Sequence, residues 1–217
     1  MILGEKAIHG NFLHLLGTFD TFCSAPSDRM GDHALGCRKY GERIARHDML
    51  RDVIFEAAAS AALAPAKEEP HLLPGTAARP GDVLIRRWHD GKDGALDVTV
   101  TGPLAKTNVR AAAVQPGSAL TKAFDRKVQG AAAACQQQGL IFLPVAMETL
   151  GGMHKVAVEQ MKRLGVAVAR HQGSDERVAT RQLFQRLSLT LMRGNAALVT
   201  SRRPEDDFAA PFIDGVI

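Results

Sequence analysis

The sequence predicts an α/β domain, a mixed sheet flanked by helices, with a small N-terminal Cys/His knuckle ahead of it. Three observations carry that expectation. Two short apolar runs lie either side of a polar turn between Arg79 and Thr101. A wholly apolar run from Leu140 to Met147 follows a long helical segment, and apolar residues at helical spacing recur before and after these runs.

In order along the chain, residues 1–18 match no pattern and are set apart as an N-terminal stub. Residues 19–40 hold the knuckle, 41–203 the main domain, and 204–217 an acidic, then apolar tail expected to be poorly ordered. Leu50, Val53, Ile54, Ala57 and Ala61 share one face of a helix predicted from Arg46 to Leu63, which Pro65 ends. Pro70, Pro74 and Pro80 mark an extended loop. Val83, Leu84 and Ile85 read as a buried strand, His89–Gly94 (HDGKDG) as its turn, and Ala95–Val100 as a second strand rich in β-branched residues. Pro103 and Pro116 bracket a variable segment, after which Ser118 opens a helix that runs to about Gln138 and stops at Gly139. A crossover helix leading into the Leu140–Met147 strand implies parallel pairing. Two more helices, 153–170 and 175–193, and a last short strand, Ala196–Thr200, complete the expectation.

Two aspartates stand out because of where the strands put them. Asp82 sits at the mouth of the first strand and Asp97 lies inside the second. A carboxylate in an apolar strand forfeits much of its hydration unless something cationic compensates it. In an antiparallel pair the two would fall on neighbouring strand ends, where both could ligate one hard divalent cation through oxygen. The same residues also fit a structural reading in which Asp82 caps a turn and Asp97 pairs with Arg86 or Arg87. Glu69, ahead of the first strand, is a further candidate ligand with an exposed-loop alternative. Glu148, in ETLGG after the third strand, is a secondary candidate that would either support the ligands from behind or cap the next helix.

Cys23, His33 and Cys37 fall at C-x9-H-x3-C, and the last two are close enough in sequence to share a tetrahedral ion, so Zn2+ is a candidate cofactor. Asp20 or His14 would supply a fourth ligand, and a metal-free knuckle held by packing is the alternative. Cys135, in an alanine-rich helix, reads as a small core residue. An odd number of cysteines, three, argues against a disulfide framework and for a reducing compartment.

Composition allows a nucleic-acid partner. Lys plus Arg number 27 against 23 Asp plus Glu, a formal charge of +4, with a pI near 9.1 and a mean hydropathy of −0.07. Arg163, Arg170, Arg177, Arg181, Arg186, Arg193, Arg202 and Arg203 recur through the C-terminal third, where they would either meet phosphates or solvate helix faces. No run approaches the roughly 18 apolar residues of a membrane span. The first residues are interrupted by Glu5, Lys6, His9 and His14, unlike the core of a signal peptide.

Taken in order, GDHALGC (Gly31–Cys37), RHD (Arg46–Asp48), RPGDV (Arg79–Val83), ALDVTV (Ala95–Val100), the helical Lys127, Cys135 and FLPVAMETLGG (Phe142–Gly152) form one string. That string resembles the restriction-like endonuclease domain of site-specific non-LTR retrotransposon proteins, a branch of the PD-(D/E)XK nucleases. The resemblance covers roughly residues 20–200, and the ordered string is far more specific than any piece of it. It implies a restriction-endonuclease-like sheet, Asp82 and Asp97 as ligands of Mg2+ or Mn2+, and Lys127, ahead of Lys122, as the catalytic lysine. Thr99 stands two residues after Asp97, where the wider superfamily has lysine; in this branch the following helix supplies it instead. Arg46 and His47 are implied to face DNA or the active site; the alternative is a first helical turn exposed to water. DNA, and with it the element's RNA, are the implied partners, with nuclear localisation and no membrane. The implied activity is metal-dependent cleavage of DNA phosphodiesters; the alternative is a catalytically idle nucleic-acid-binding remnant of the same fold. The polymerase half of such proteins is not among these residues, so the chain is expected to be a fragment, a decayed copy or a free-standing descendant of one. RHD replaces the family's usual RHN, and Asp20 and Pro26 flank Cys23 at three residues' distance where a CxxC pair is usual.

Overall fold

The computed structural model describes Cys23, Ala25 and residues 31–37, 41–73 and 79–202. The stub, the tail, His14, Asp20, Pro74 and Arg203 lie outside the described residues.

Among the described residues, four strands form one mixed sheet in the order β1-β2-β3-β4. These are β1 (Ala66–Lys67), β2 (Val83–His89), β3 (Lys92–Thr101) and β4 (Ile141–Glu148). The helices are α1 (Asp32–Gly36), α2 (Glu42–Ser60), α3 (Val109–Val114), α4 (Ser118–Gln137), α5 (Lys155–Gln172) and α6 (Glu176–Thr200). β1 and β2 pair antiparallel, β2 and β3 form the hairpin, and β3 and β4 run parallel across the α3–α4 connection. The predicted mixed sheet, the acidic hairpin and the parallel crossover are therefore all present.

The hairpin turn is tighter than the HDGKDG segment suggests. His89 pairs with Lys92, leaving only Asp90 and Gly91 as the turn. Both have positive φ, 50° and 74°, the left-handed pair that a two-residue hairpin connection requires. Gly94 meets a different demand, since a Cβ there would lie 2.8 Å from Cδ1 of Trp88. The indole packs over that bare backbone and its Nε1 donates to Gln160 Oε1 at 2.8 Å.

Strand alternation divides the sheet into two faces. Leu96, Val98 and Val100 of β3 join Leu143, Val145 and Met147 of β4 in a core shared with Leu50, Val53 and Ile54 of α2, Met161 and Leu164 of α5, and Leu183, Leu187 and Leu191 of α6. Asp97, Thr99 and Thr101 point the other way, beside Pro144, Ala146 and Glu148 of β4. Helix α4 covers that face with Ala119, Leu120 and Ala123. One turn further on, the same ridge of α4 carries Lys127.

The segment Ala196–Thr200, expected as a strand, is the end of α6. Leu191, Leu198, Gly194 and Asn195 form a buried stripe at helical spacing. A Cβ on Gly194 would come within 2.5 Å of Arg46 Cγ, so the bare backbone there admits the arginine stem of α2. Packing on α2 thus overrides the β-branched character of Val199 and Thr200. Helix α2 also begins at Glu42, four residues ahead of its expected start at Arg46.

Candidate active site

The two strand aspartates meet across the hairpin. Val83 pairs with Leu96, so one residue further along the same register Asp82 stands opposite Asp97. The Asp82 amide donates to Leu96 O at 2.8 Å, which holds the residue against β3, and Asp82 Oδ2 accepts from the Val98 amide at 2.6 Å. Gly81 lets the chain in that closely, because a Cβ there would lie 3.0 Å from the Ala95 carbonyl carbon and Leu96 O.

Each carboxylate has a cation. Lys127 Nζ lies 2.7 Å from Asp97 Oδ2, bringing α4 onto the strand residue. His47 Nε2, from α2, lies 3.0 Å from Asp82 Oδ2, while its Nδ1 is 3.2 Å from Asp48 Oδ1. Asp97 therefore pairs with Lys127 and not with Arg86 or Arg87; those residues hold Asp93, by side chain and by backbone amide respectively. Lys122 points elsewhere, bonding Thr107 O and Asn108 Oδ1, both at 3.2 Å.

The two acids titrate in opposite directions. Burial pushes the Asp97 carboxyl above its ordinary range, against the pull of Lys127 and with the help of the neighbouring Asp82 charge. Burial acts the same way on Asp82, but the His47 hydrogen bond and charge, then the Val98 amide, outweigh it and hold that carboxyl below its ordinary range. The Asp82 hydrogen bond raises His47 to about 9, although burial opposes it. Two carboxylates on opposed strand residues, one of them reluctant to ionise, is an arrangement a divalent cation would relieve. Asp82 and Asp97 are the residues that would hold it.

A cleft of about 560 Å3 opens off Asp82, lined by Arg43, Ile44, His47, Asp48, Glu68, Arg79 and Gly81. Arg43, His47 and Arg51 recur every fourth residue along α2, which places them in one ridge. The acid nearest this cleft is Glu68, not Glu69: its backbone amide bonds Asp82 O at 3.0 Å, and its carboxylate takes hydrogen bonds from Arg51 and Arg79. Glu69 is partly buried and absent from the cleft lining. The two-residue strand β1 sets this geometry, and Ala66–Lys67 carries no strand signal that sequence reading could find.

Two other candidates stand apart. Arg46 was expected to face DNA or the active site, but it is 2% exposed and buried between helices, its Nη1 bonding Asn195 Oδ1 at 2.7 Å and its Nη2 Leu35 O at 3.4 Å. Burial, and then the Arg43 charge, lower its pKa to about 10. At position 46 the core needs the long stem, so the side chain is not available for a direct contact. Glu148 pairs with Thr101 at the far end of β3, four residues from Asp97, about 13 Å at strand rise. Its carboxyl is raised by burial and touches the Gly152 turn, so it lies outside the acid pair.

Near the N-terminus, ligand atoms of Cys23, His33 and Cys37 lie within 4.8 Å of one another, with Cys23 Sγ 3.1 Å from His33 Nε2. This group could hold a metal ion such as zinc. Cys135 is fully buried, as expected of a core residue. Four of the C-terminal arginines have structural surroundings: Arg163 lies over the Trp88 ring at 5.6 Å, Arg170 and Arg186 pair with Glu176 and Glu56, and Arg202 is buried, while Arg177, Arg181 and Arg193 are exposed. Among the described residues no helix is long and apolar enough to cross a membrane. In comparisons with known proteins, the chain matches no family model and no curated sequence.

Proposed function

We propose that this chain is a metal-dependent DNA endonuclease of restriction-endonuclease-like fold, derived from a retrotransposon polyprotein. The observation that supports it best is the meeting of Asp82 and Asp97 across the hairpin with the Lys127 ammonium 2.7 Å from Asp97. Magnesium or manganese bound there would polarise a phosphoryl oxygen and lower the pKa of a bound water. The chain's own residues do the rest. Lys127, mounted on a helix that packs against the sheet, would steady the nucleophilic water or hold positive charge beside the oxygens of the pentacoordinate phosphorus, where negative charge gathers. His47 and the Val98 amide fix the orientation of Asp82. In the reaction water adds to phosphorus and one P–O ester bond breaks, leaving a phosphomonoester and a hydroxyl.

A second reading is favoured by one observation. Both acids are already compensated by His47 and Lys127, as in a purely structural ion-pair network. On that reading the fold is a catalytically idle nucleic-acid-binding module. Incubating supercoiled plasmid and magnesium with the protein, Asp97→Ala and Lys127→Ala separates the two. Nicking by the parent alone supports the enzyme, whereas equal traces from all three refute it.

A further inference from the structure

We infer that the cleft opening off Asp82 is a subsite for one nucleotide of the DNA strand beside the bond to be cut, with Arg43 and Arg79 as its phosphate contacts. This rests on the endonuclease reading and names what that site would hold next to the scissile phosphate.

Size is the first reason. At about 560 Å3 the cleft falls within the roughly 300–1,000 Å3 of small-ligand sites, room for a nucleotide. Chemistry is the second. Arg43 comes from the first turn of α2 and Arg79 from the loop before β2, so arginines from two separate elements line one hollow that also contains Asp82, with Arg79 tied to Glu68. Planar guanidinium forks match phosphate oxygens in pairs. Ile44, 65% exposed, lines the same cleft and offers an apolar surface for a sugar or base.

The acids on that wall do not make it repellent. Asp48 and Glu68 both bond Arg51, whose side chain is only 12% exposed and is not part of the cleft lining. Glu68 also bonds Arg79, and its own backbone is tied to Asp82. Glu68 is therefore a positioning residue, holding Arg79 at a fixed distance from the metal-ligating carboxylate.

The test needs no metal and no turnover. The protein in chelator and low salt is titrated calorimetrically with a 5′-phosphorylated thymidine dinucleotide. Saturable binding is expected, weakened about tenfold by Arg43→Ala and by Arg79→Ala, as loss of one charged hydrogen-bonding group implies, and by a smaller factor in Glu68→Gln. Arg181→Ala, an exposed arginine of α6, supplies the control for lost charge. Arg79 is 55% exposed, so its removal leaves the fold intact, and Arg43→Lys stands in if Arg43→Ala does not fold. In plasmid nicking, Arg79→Ala and Glu68→Gln should raise KM more than they lower kcat. Equal affinity of Arg43→Ala, Arg79→Ala and the Arg181→Ala control overturns the inference, as does absence of binding by the parent. Specific dinucleotide binding without nicking by the parent would overturn the endonuclease reading and leave the subsite standing. Nicking that depends on Asp97 but ignores Arg43 and Arg79 would do the reverse.

Discussion

Replacing each aspartate by asparagine should have opposite effects on stability and the same effect on activity. Asp82 is favoured in its charged form by His47 at 3.0 Å and the Val98 amide at 2.6 Å. Asp82→Asn keeps an acceptor for the amide but loses the ionic hydrogen bond, a cost of about 1 to 2 kcal/mol. Asp97 is held with its charge disfavoured, 8% exposed and facing a second carboxylate. Asp97→Asn removes that penalty, and the Lys127 ammonium, a third exposed, can turn to water. The variant should match the parent or exceed it by up to about 1 kcal/mol, the usual consequence of disarming a strained site. Urea unfolding at pH 7 in chelator reads this directly, as a midpoint lower by about 0.5 M for Asp82→Asn and unchanged or higher for Asp97→Asn. Both variants should fail to nick plasmid. Equal destabilisation by about 2 kcal/mol or more in the two variants would refute the reasoning and mark both as ordinary structural ion pairs.

Three further outcomes follow from the same geometry. His47 is raised to about 9 from 6.5, so in chelator its contribution, at most about 3 kcal/mol, is fully present below pH 6.5 and lost as pH rises through 9. Asp82, held low, also stabilises but with the opposite pH dependence, losing its share as pH falls below the ordinary carboxylate value; parallel stability curves for the parent and His47→Gln between pH 7 and 10 would contradict the first statement. Arg46→Ala should cost about 2 to 3 kcal/mol in urea unfolding by stranding Asn195 and emptying the space over Gly194, while leaving the salt dependence of DNA binding unchanged in a gel shift. Cobalt added to reduced protein should give thiolate charge-transfer absorption that zinc displaces and that Cys37→Ser weakens, whereas identical spectra for parent and variant would show that Cys37 is not a ligand.

Much of the acid site was legible because its residues sit in strongly patterned segments. Asp82 stands at the head of one apolar run and Asp97 inside another whose alternation fixes its face, whereas Lys127 is named by the resemblance and by no local pattern. The partners of those residues were harder to read. The contact of His47 with Asp82 spans 35 residues and depends on how α2 lies across the sheet, which no local pattern encodes. Glu68 was overlooked for Glu69 because β1 is two residues long and is followed at once by a left-handed residue, Glu68 itself at φ 46°. Arg46 is implied to face DNA or the active site by the resemblance alone, and its burial depends on Gly194 and Asn195, almost 150 residues away, which no local pattern encodes. The end of α6 misled for the same reason, since its helical conformation is maintained by tertiary packing against local β preference.

The central claim is that Asp82 and Asp97 can grip one hard cation between them. Crystals of the protein grown in chelator and then soaked in manganese, measured at a wavelength where manganese scatters anomalously, test it most directly. The account predicts a single strong peak within coordination distance of one oxygen from each carboxylate, with Lys127 drawn off Asp97 or shared with a bound water. No peak there, with the His47–Asp82 and Lys127–Asp97 pairs undisturbed at saturating manganese, would contradict it.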